Sequence, residues 1–263
     1  MASFSWYTHL MNKLKIATFN VSGGFYIGNE KGEYLDRKPA KTSDDKLFRD
    51  IIDLIRKEEI DIICFQEIIT GGNYDYIGAI QDVTNMGYAK RFELSPCNTV
   101  KNARCGLAIL SRFPLESIKE DIFPNPCLAK TTESGKTYYT YDKGYMVCDI
   151  ATGLHEKVRI LNHHGFPYRR FNSTPEANQD VFNFFSDIIS ETNPDFVVGD
   201  FNAVNFMALM PKVAVYYEET FNGPTTVDGM NFDNILITSK YRAKTKTIET
   251  HSDHLALVSQ ISY

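Results

Sequence analysis

Phe196-Val197-Val198-Gly199-Asp200-Phe201-Asn202 is an apolar run that stops abruptly at a carboxylate and an amide. A buried strand that ends this way puts its polar groups at the rim of a sheet, where hard oxygen donors can gather around a cation or a phosphate. Ser252-Asp253-His254 does the reverse, with polar groups opening the run Leu255-Ala256-Leu257-Val258. Upstream, Thr18-Phe19-Asn20 and Phe65-Gln66-Glu67 also close apolar runs with polar side chains. Four strand ends of one kind predict one shared rim.

Working outward, Lys15 to Phe19 reads as a first strand and Ile60 to Phe65 as a second. Between them Ser43 can cap a helix whose first turn carries Asp44 and Asp45, with Leu47, Phe48, Ile51, Leu54 and Ile55 as one apolar stripe. The order recurs ahead of Phe196. Thr174-Pro175-Glu176 starts a helix, Val181, Phe185, Ile188 and Ile189 face inward, and Asn193-Pro194 stops it. Further strands are expected at 105–110, 138–141, 145–150, 158–162, 232–237 and 255–261, separated by loops of Gly, Pro and Asn. Sheets that need covering and helices with one apolar stripe imply two sheets face to face with helices outside. Phe123 to Gly135 reads as a surface loop over one rim.

The chain has 263 residues, 43% hydrophobic and 23% charged, an ordinary globular composition. With no repeat, low-complexity tract or linker, one domain is expected. A net charge of -5 argues against a protein that coats nucleic acid electrostatically, though not against a local basic groove. No apolar run reaches the roughly 18–20 residues of a membrane span, and the first fifteen residues lack the core of a secretory signal. Five scattered cysteines without a C-x-x-C pair point to reduced thiols in a cytoplasm rather than to zinc. Trp6 and the many tyrosines and phenylalanines read as core or edge residues rather than base-stacking platforms.

The polar strand ends define the chemistry. Asn20, Glu67, Asp200, Asn202 and Asp253 offer hard oxygen ligands suited to Mg²⁺ or Mn²⁺. Magnesium takes only one or two carboxylates directly, so most of the set is left to hold a phosphate or a water. His164 and His254 supply hydrogen-bond donors and a proton shuttle, and an Asp such as Asp233 fixes an imidazole tautomer. Arg169 and Arg170, just after His164, read either as a phosphate clamp or as a surface pair, and Lys101 and Arg104 likewise.

These residues stand in pieces with a familiar order: "IATFNV" with Asn20, "IICFQE" with Glu67, "GLAILSRFPL" from Gly106 to Leu115, "ILNHHG" with His164, "VVGDFNA" with Asp200 and Asn202, "NFDNILI" with Asp233, and "SDH" with Asp253 and His254. Together they resemble the endonuclease/exonuclease/phosphatase superfamily of deoxyribonuclease I-like, metal-dependent phosphodiesterases, from about Lys15 to Tyr263. The resemblance implies an α+β, four-layered αββα sandwich over residues 15–263, with 1–14 as an N-terminal extension. It implies a divalent cation held chiefly at Glu67, with Asn20 and Asp253 in support. Asp200 and Asn202 would orient the attacking water and the phosphate. His254, polarised by Asp233, would handle the proton, and His164 would contact the phosphate. His163 occupies a place usually held by a small residue. Tyr141, Lys143 and Tyr145 fall where the family often places substrate-side residues.

The implied activity is Mg²⁺-dependent hydrolysis of a phosphodiester by in-line water attack. Nucleic acid or a nucleotide adduct leads as substrate, with a phospholipid headgroup or inositol phosphate as the alternative. Met230-Asn231-Phe232 stands where abasic endonucleases carry an aromatic-Arg pair, so abasic-site specificity is not expected. An inert scaffold of the same fold would be expected to have lost a metal or proton residue, and none is lost here. A monomer is expected, with no protein partner and no membrane anchor.

Overall fold

The computed structural model describes residues 13–24, 46–71, 76–97, 102–152 and 157–263. Trp6, most of the expected N-terminal extension, the Ser43 cap with Asp44 and Asp45, and Lys101 lie outside these residues. One sheet is built from β1 (Lys13–Asn20), β2 (Ile62–Gly71), β3 (Tyr88–Pro96), β4 (Ala103–Ser111), β13 (Arg242–Ile248) and β14 (Ala256–Ser262), in the order β13-β14-β1-β2-β4-β3. The other holds β5 (Leu115–Ile122), β8 (Gly144–Ala151), β9 (Lys157–His164), β10 (Phe196–Asp200), β11 (Tyr217–Glu219) and β12 (Asp233–Thr238), in the order β11-β12-β10-β9-β8-β5. β1 runs parallel to β2, and β9 parallel to β10; the other pairings are antiparallel.

Period two sends alternate side chains of each central strand into different layers. Ile16, Ile62, Cys64, Ile160, Phe196, Val198 and Ile235 fill the space between the sheets. Their neighbours Ala17, Phe19, Ile63 and Phe65 meet α1 (Lys46–Lys57) and α2 (Tyr76–Val83) through Leu47, Ile51, Ile55 and Ile77. On the opposite outer face Val147, Leu161, Val197 and Leu236 meet α3 (Gln179–Thr192) through Val181, Phe185 and Ile189. Strands apolar on both faces read as continuous apolar runs. The layers are helix, sheet, sheet, helix, as the sequence implied. α3 stops at Asn193, whose left-handed φ of 45° lets its N–H close on the Ile189 carbonyl before Pro194. β1 begins at Lys13, slightly ahead of the expected boundary.

Four strands of the two large sheets escaped sequence reading: β3, β5, β11 and β13. All four are sheet edges. Edge strands carry charge and bury little, which blunts pairing with other chains and erases the apolar signal. The expected loop from Phe123 to Gly135 instead holds β6 (Ala129–Thr131), which pairs as a hairpin with β7 (Thr137–Tyr139), the strand expected at 138–141. Asn125 and Thr140 staple its base. The Thr140 hydroxyl donates to Asn125 Oδ1 at 2.7 Å, and the Asn125 amide donates to Asp142 Oδ1 at 3.0 Å.

One buried polar network bridges the sheets beneath the rim. The Gln66 amide donates to Asn162 Oδ1 at 2.8 Å, and Thr18 Oγ1 lies 3.2 Å from Gln66 Oε1. The Asn162 amide donates to the carbonyls of Phe65 and Ala108 in the facing sheet, at 3.1 and 3.0 Å. Asn162→Ala strands these partners in a dry interior. It is expected to lower unfolding free energy by about 3 kcal/mol, since an unsatisfied buried polar group costs roughly 1–3 kcal/mol. A denaturant midpoint equal to that of the parent protein would show that the network contributes no stability.

Candidate active site

The faces that fill the inter-sheet core also build the site. Read along that face, β1 runs Ile16, Thr18, Asn20; β9 runs Ile160, Asn162, His164; and β10 runs Phe196, Val198, Asp200. Each strand goes from apolar to polar as it approaches the open end of the sandwich. Parallel register sets Asp200 beside His164, and antiparallel register sets it beside Asp233. Gly199 permits this close approach: its φ is 147°, and a Cβ there would lie 2.1 Å from the His163 carbonyl oxygen.

Asp200 is fully buried, and its carboxylate is held from several sides. Oδ2 accepts from the Asn20 amide at 2.9 Å and the Asn202 amide at 3.0 Å, and Oδ1 accepts from the Asn202 N–H at 2.8 Å. Burial pushes its pKa up to about 7, with the charge of Asp233 adding to the rise, against the opposing pull of His254, Asn20 and Asn202.

The two histidines sit in opposite states. His254 Nδ1 lies 2.8 Å from Asp233 Oδ2, and its Nε2 lies 3.9 Å from Asp200 Oδ2. Burial alone would lower its pKa. The charges of Asp233 and Asp200, the Asp233 hydrogen bond and Asp253 instead raise it well above the ordinary value, so the ring is an imidazolium. His164 is held well below its ordinary value, first by burial, then by the positive charges of Lys143 and His254. It is a neutral imidazole, with Nε2 3.4 Å from Asp200 Oδ2. The Ser252-Asp253-His254 turn is tied down at both ends. Ser252 Oγ donates to the Asn20 carbonyl at 2.8 Å, and the His251 N–H donates to Asp50 on α1 at 2.7 Å.

Glu67 reaches the site against strand parity. Phe65 faces the helices, and a regular strand would send Glu67 the same way. A bulge between Phe65 and Ile68 puts Glu67 at φ 55° and turns its side chain into the pocket, with Oε1 3.6 Å from His164 Nε2 and 3.5 Å from Lys143 Nζ.

The polar rim opens into a pocket of about 430 Å³. It is lined by Asn20, Glu67, His164, Asp200, Asn202, Asp253 and His254, while Asp233 lies beneath, behind His254. Lys143 lines it too, its ammonium 3.1 Å from His164 Nδ1 and 3.2 Å from Nε2. Arg170 lines the pocket. Arg169 does not; it points to solvent, 3.6 Å from Asp228.

Tyr145 corrects the sequence reading. It is fully buried on the helix-side face of β8, its ring 5.7 Å from that of Phe123, and does not line the pocket. Lys143 lies just ahead of β8, outside its alternation, and lines the pocket, whereas Tyr145 inside the strand belongs to the core. The reading of the aromatics as core or edge misses two pocket residues, Tyr138 and Tyr139, while Tyr141 stands on the substrate side as the resemblance implied. Tyr138, Tyr139 and Tyr141 are exposed and line the pocket from the hairpin. Their run, Tyr138-Tyr139-Thr140-Tyr141 between two lysines, was the available signal. His163, one residue from His164, points to the opposite face and packs between Phe185 and Phe201, with ring centroids 4.5 and 4.2 Å away.

Among the described residues, one group of acidic and histidine ligand atoms converges: Asp200, Asp233 and His254, within 4.8 Å of one another. Asp233 Oδ1 is buried there without a partner. The donors facing the pocket are carboxylates, amides and imidazoles, which fits a hard divalent cation. Glu67 and Asp253, which line the pocket with Asp142 and Asp200, can take part in holding it.

A two-sheet sandwich with this row of polar groups at its mouth is the layout of a phosphoesterase. The chain belongs to the endonuclease/exonuclease/phosphatase family, whose model matches residues 17–254. Solved structures share the fold. An endonuclease/exonuclease/phosphatase from Beutenbergia cavernae superposes with a TM-score of 0.70 at 14% identity, covering 95% of this chain and 72% of that one. Humanized D. rerio TDP2 carrying 14 mutations gives 0.60 at 14% identity, covering 96% and 100%. TDP2 from C. elegans gives 0.60 at 15% identity, covering 95% and 75%. No curated protein sequence matches the chain.

Proposed function

We propose that this protein is a divalent-metal-dependent phosphodiesterase acting on a nucleotide-type substrate by in-line attack of water. The observation that carries the reading is the geometry of one pocket in which His164 and His254 flank Asp200 at 3.4 and 3.9 Å, their pKa values pushed in opposite directions by their surroundings. Environments that push like groups apart assign them different tasks. Asp200, held through both oxygens and pushed up to about 7, is suited to orient a water and take its proton. His254, locked by Asp233, offers Nε2 to a phosphoryl or leaving oxygen. His164 and Lys143 are placed to donate to non-bridging oxygens, while Asn202 spends its amide on the Gly165 carbonyl and Asp200 and so holds Asp200 in place. Mg²⁺ held by Glu67, with Asn20 and Asp253 in support, would offset charge on the phosphoryl group when bound. Arg170 stands at the far wall for a second phosphate.

The aromatic wall supports a nucleotide. Among the described residues Tyr138, Tyr139 and Tyr141 line the pocket with three cations, Lys130, Lys143 and Arg170, which suits stacking on bases more than charge-driven binding to a duplex backbone. Tyr139→Ala is expected to raise KM about tenfold on an oligonucleotide, because stacking is worth about 1–3 kcal/mol per base. Tyr139 is 63% exposed, so the thermal midpoint should hold. An unchanged KM would remove the hairpin from substrate recognition.

The metal is tested by removal. Excess chelator is expected to abolish turnover, and Mg²⁺ or Mn²⁺ to restore it. Glu67→Gln should raise the metal concentration needed, with the fold intact, because its side chain is 34% exposed at the rim. Full turnover in chelator would refute metal dependence. A panel run with Mg²⁺ tests the substrate: single- and double-stranded DNA, a 5′-phosphotyrosyl oligonucleotide, sphingomyelin and inositol phosphates. Cleavage confined to the last two would overturn the nucleotide reading.

A further inference from the structure

Cys97 and Cys105 come together in the wall of the same pocket. β3 and β4 are antiparallel, with Ser95 opposite Cys105 and the Cys97 N–H bonded to the Ala103 carbonyl at 2.9 Å. Cys97 and Cys105 are therefore diagonal neighbours on one face of the pair. The neighbouring Cys97 thiol, together with burial, keeps Cys105 protonated. Both are half-buried and line the pocket, so a small solute in it reaches them. The other thiols differ. Cys64 and Cys148 are sealed between the sheets, and Cys127 is exposed outside the pocket.

We infer that Cys97 and Cys105 are a redox pair that closes to a disulfide in the pocket wall. The oxidant is a hydroperoxide. One thiolate attacks the peroxide oxygen, the O–O bond breaks, and an alcohol or water leaves after protonation. The sulfenic acid formed is attacked by the second sulfur, the S–S bond forms, and water leaves. Two thiols and one hydroperoxide give one disulfide, one alcohol and one water, with two electrons passing from sulfur to oxygen. A dithiol reverses it by exchange. A bond of about 2.05 Å needs the sulfurs closer than thiol contact. Cys97 lies just past the end of β3 with its N–H held by the Ala103 carbonyl, so the sulfurs close the gap by side-chain rotation.

The bond would be felt in the site. Cys105 is paired with Ile69, two residues beyond Glu67, and lies near enough to Glu67 and Lys143 to sense both charges. Pinning β3 to β4 there narrows the wall facing the hairpin. This consequence rests on the phosphodiesterase reading; formation of the bond does not.

The test is made on the intact native protein. It is exposed to hydrogen peroxide, alkylated, digested with trypsin and weighed by mass spectrometry. Cleavage after Arg91, Lys101, Arg104 and Arg112 leaves the two cysteines on separate peptides, 92–101 and 105–112. The expected product is these peptides joined, two hydrogens lighter than their sum and separated by dithiothreitol, with Cys64 and Cys148 still unoxidised. A Cys97→Ser variant should yield no joined pair. Cys97 and Cys105 alkylated singly, oxidised singly to sulfinic acid, or joined to Cys127 would overturn the inference. On a substrate found by the panel, peroxide should raise KM and dithiothreitol restore it, and Cys97→Ser should lose that response. A joined pair in a protein that turns over nothing would keep the disulfide and refute the phosphodiesterase. A joined pair with unchanged KM would refute its effect on the site.

Discussion

Replacing His254 by alanine is expected to cut kcat by at least about a hundredfold, with KM changed far less. The ring is buried, fixed through Nδ1 by Asp233 at 2.8 Å, and held protonated by Asp233 and Asp200, so its Nε2 N–H is preorganised toward the pocket. Phosphoryl transfer develops charge on the equatorial and leaving oxygens, and a donor already in place needs no reorganisation when that charge appears. Loss of a general acid–base group commonly costs roughly 10²–10⁴ in rate, or about 3–5 kcal/mol of transition-state stabilisation. An effect on kcat rather than KM would mark an interaction made in the transition state. Asp200→Asn should fall in the same range, because the substitution keeps the shape but removes the base. Steady-state kinetics on the substrate identified by the panel decide the matter. A His254→Ala enzyme that keeps more than about a tenth of parental kcat would place the proton chemistry elsewhere.

His163 is expected to make the fold acid-labile without taking part in turnover. Its ring lies between Phe185 and Phe201, both nitrogens are buried without a partner, and burial lowers its pKa to about 3. The unfolded chain binds a proton near pH 6.5, and the folded one only near 3. Between those values the unfolded state holds more protons. The stability linked to this group is therefore fully present above pH 6.5 and drains away as pH falls toward 3. At pH 4 the loss is about 3 kcal/mol, at 1.36 kcal/mol per unit. His163→Leu should keep its denaturant midpoint at pH 7 and lose less than the parent protein on acidification. Turnover should hold, whereas His164→Ala, which strips the pocket of its neutral imidazole, should reduce it. Identical acid profiles for the parent protein and His163→Leu would show that His163 is not the group titrating. Greater kinetic damage at His163 than at His164 would shift the functional histidine by one position.

The Asn-His-His-Gly sequence shows why reading a motif and placing it are different problems. Period two alone makes His163 and His164 point opposite ways, but not which of them meets the pocket. β9 settles it: Ile160, Asn162 and His164 share the face toward the other sheet, and that face opens at the rim. Parity within β8 assigns Tyr145 to the helix-side core, while Lys143 reaches the pocket wall because it lies ahead of the strand and outside that parity. Glu67 breaks parity through a bulge, and nothing in Phe65-Gln66-Glu67-Ile68 announces a left-handed glutamate.

What the sequence determined by itself is what apolar periodicity encodes. The central strands, two of the covering helices, their stacking in four layers and the gathering of Asn20, His164, Asp200, Asp233 and His254 at one rim all follow from runs apolar on both faces that end in polar side chains. Tertiary structure alone decided the rest. The edge strands β3, β5, β11 and β13 exist because a neighbouring strand offers them hydrogen bonds, and their own alternating charges carry no such instruction. The Tyr138–Tyr141 wall, the bulge that turns Glu67 and the meeting of Cys97 with Cys105 depend on which backbone lies alongside, a property of pairing between segments and not of any one segment.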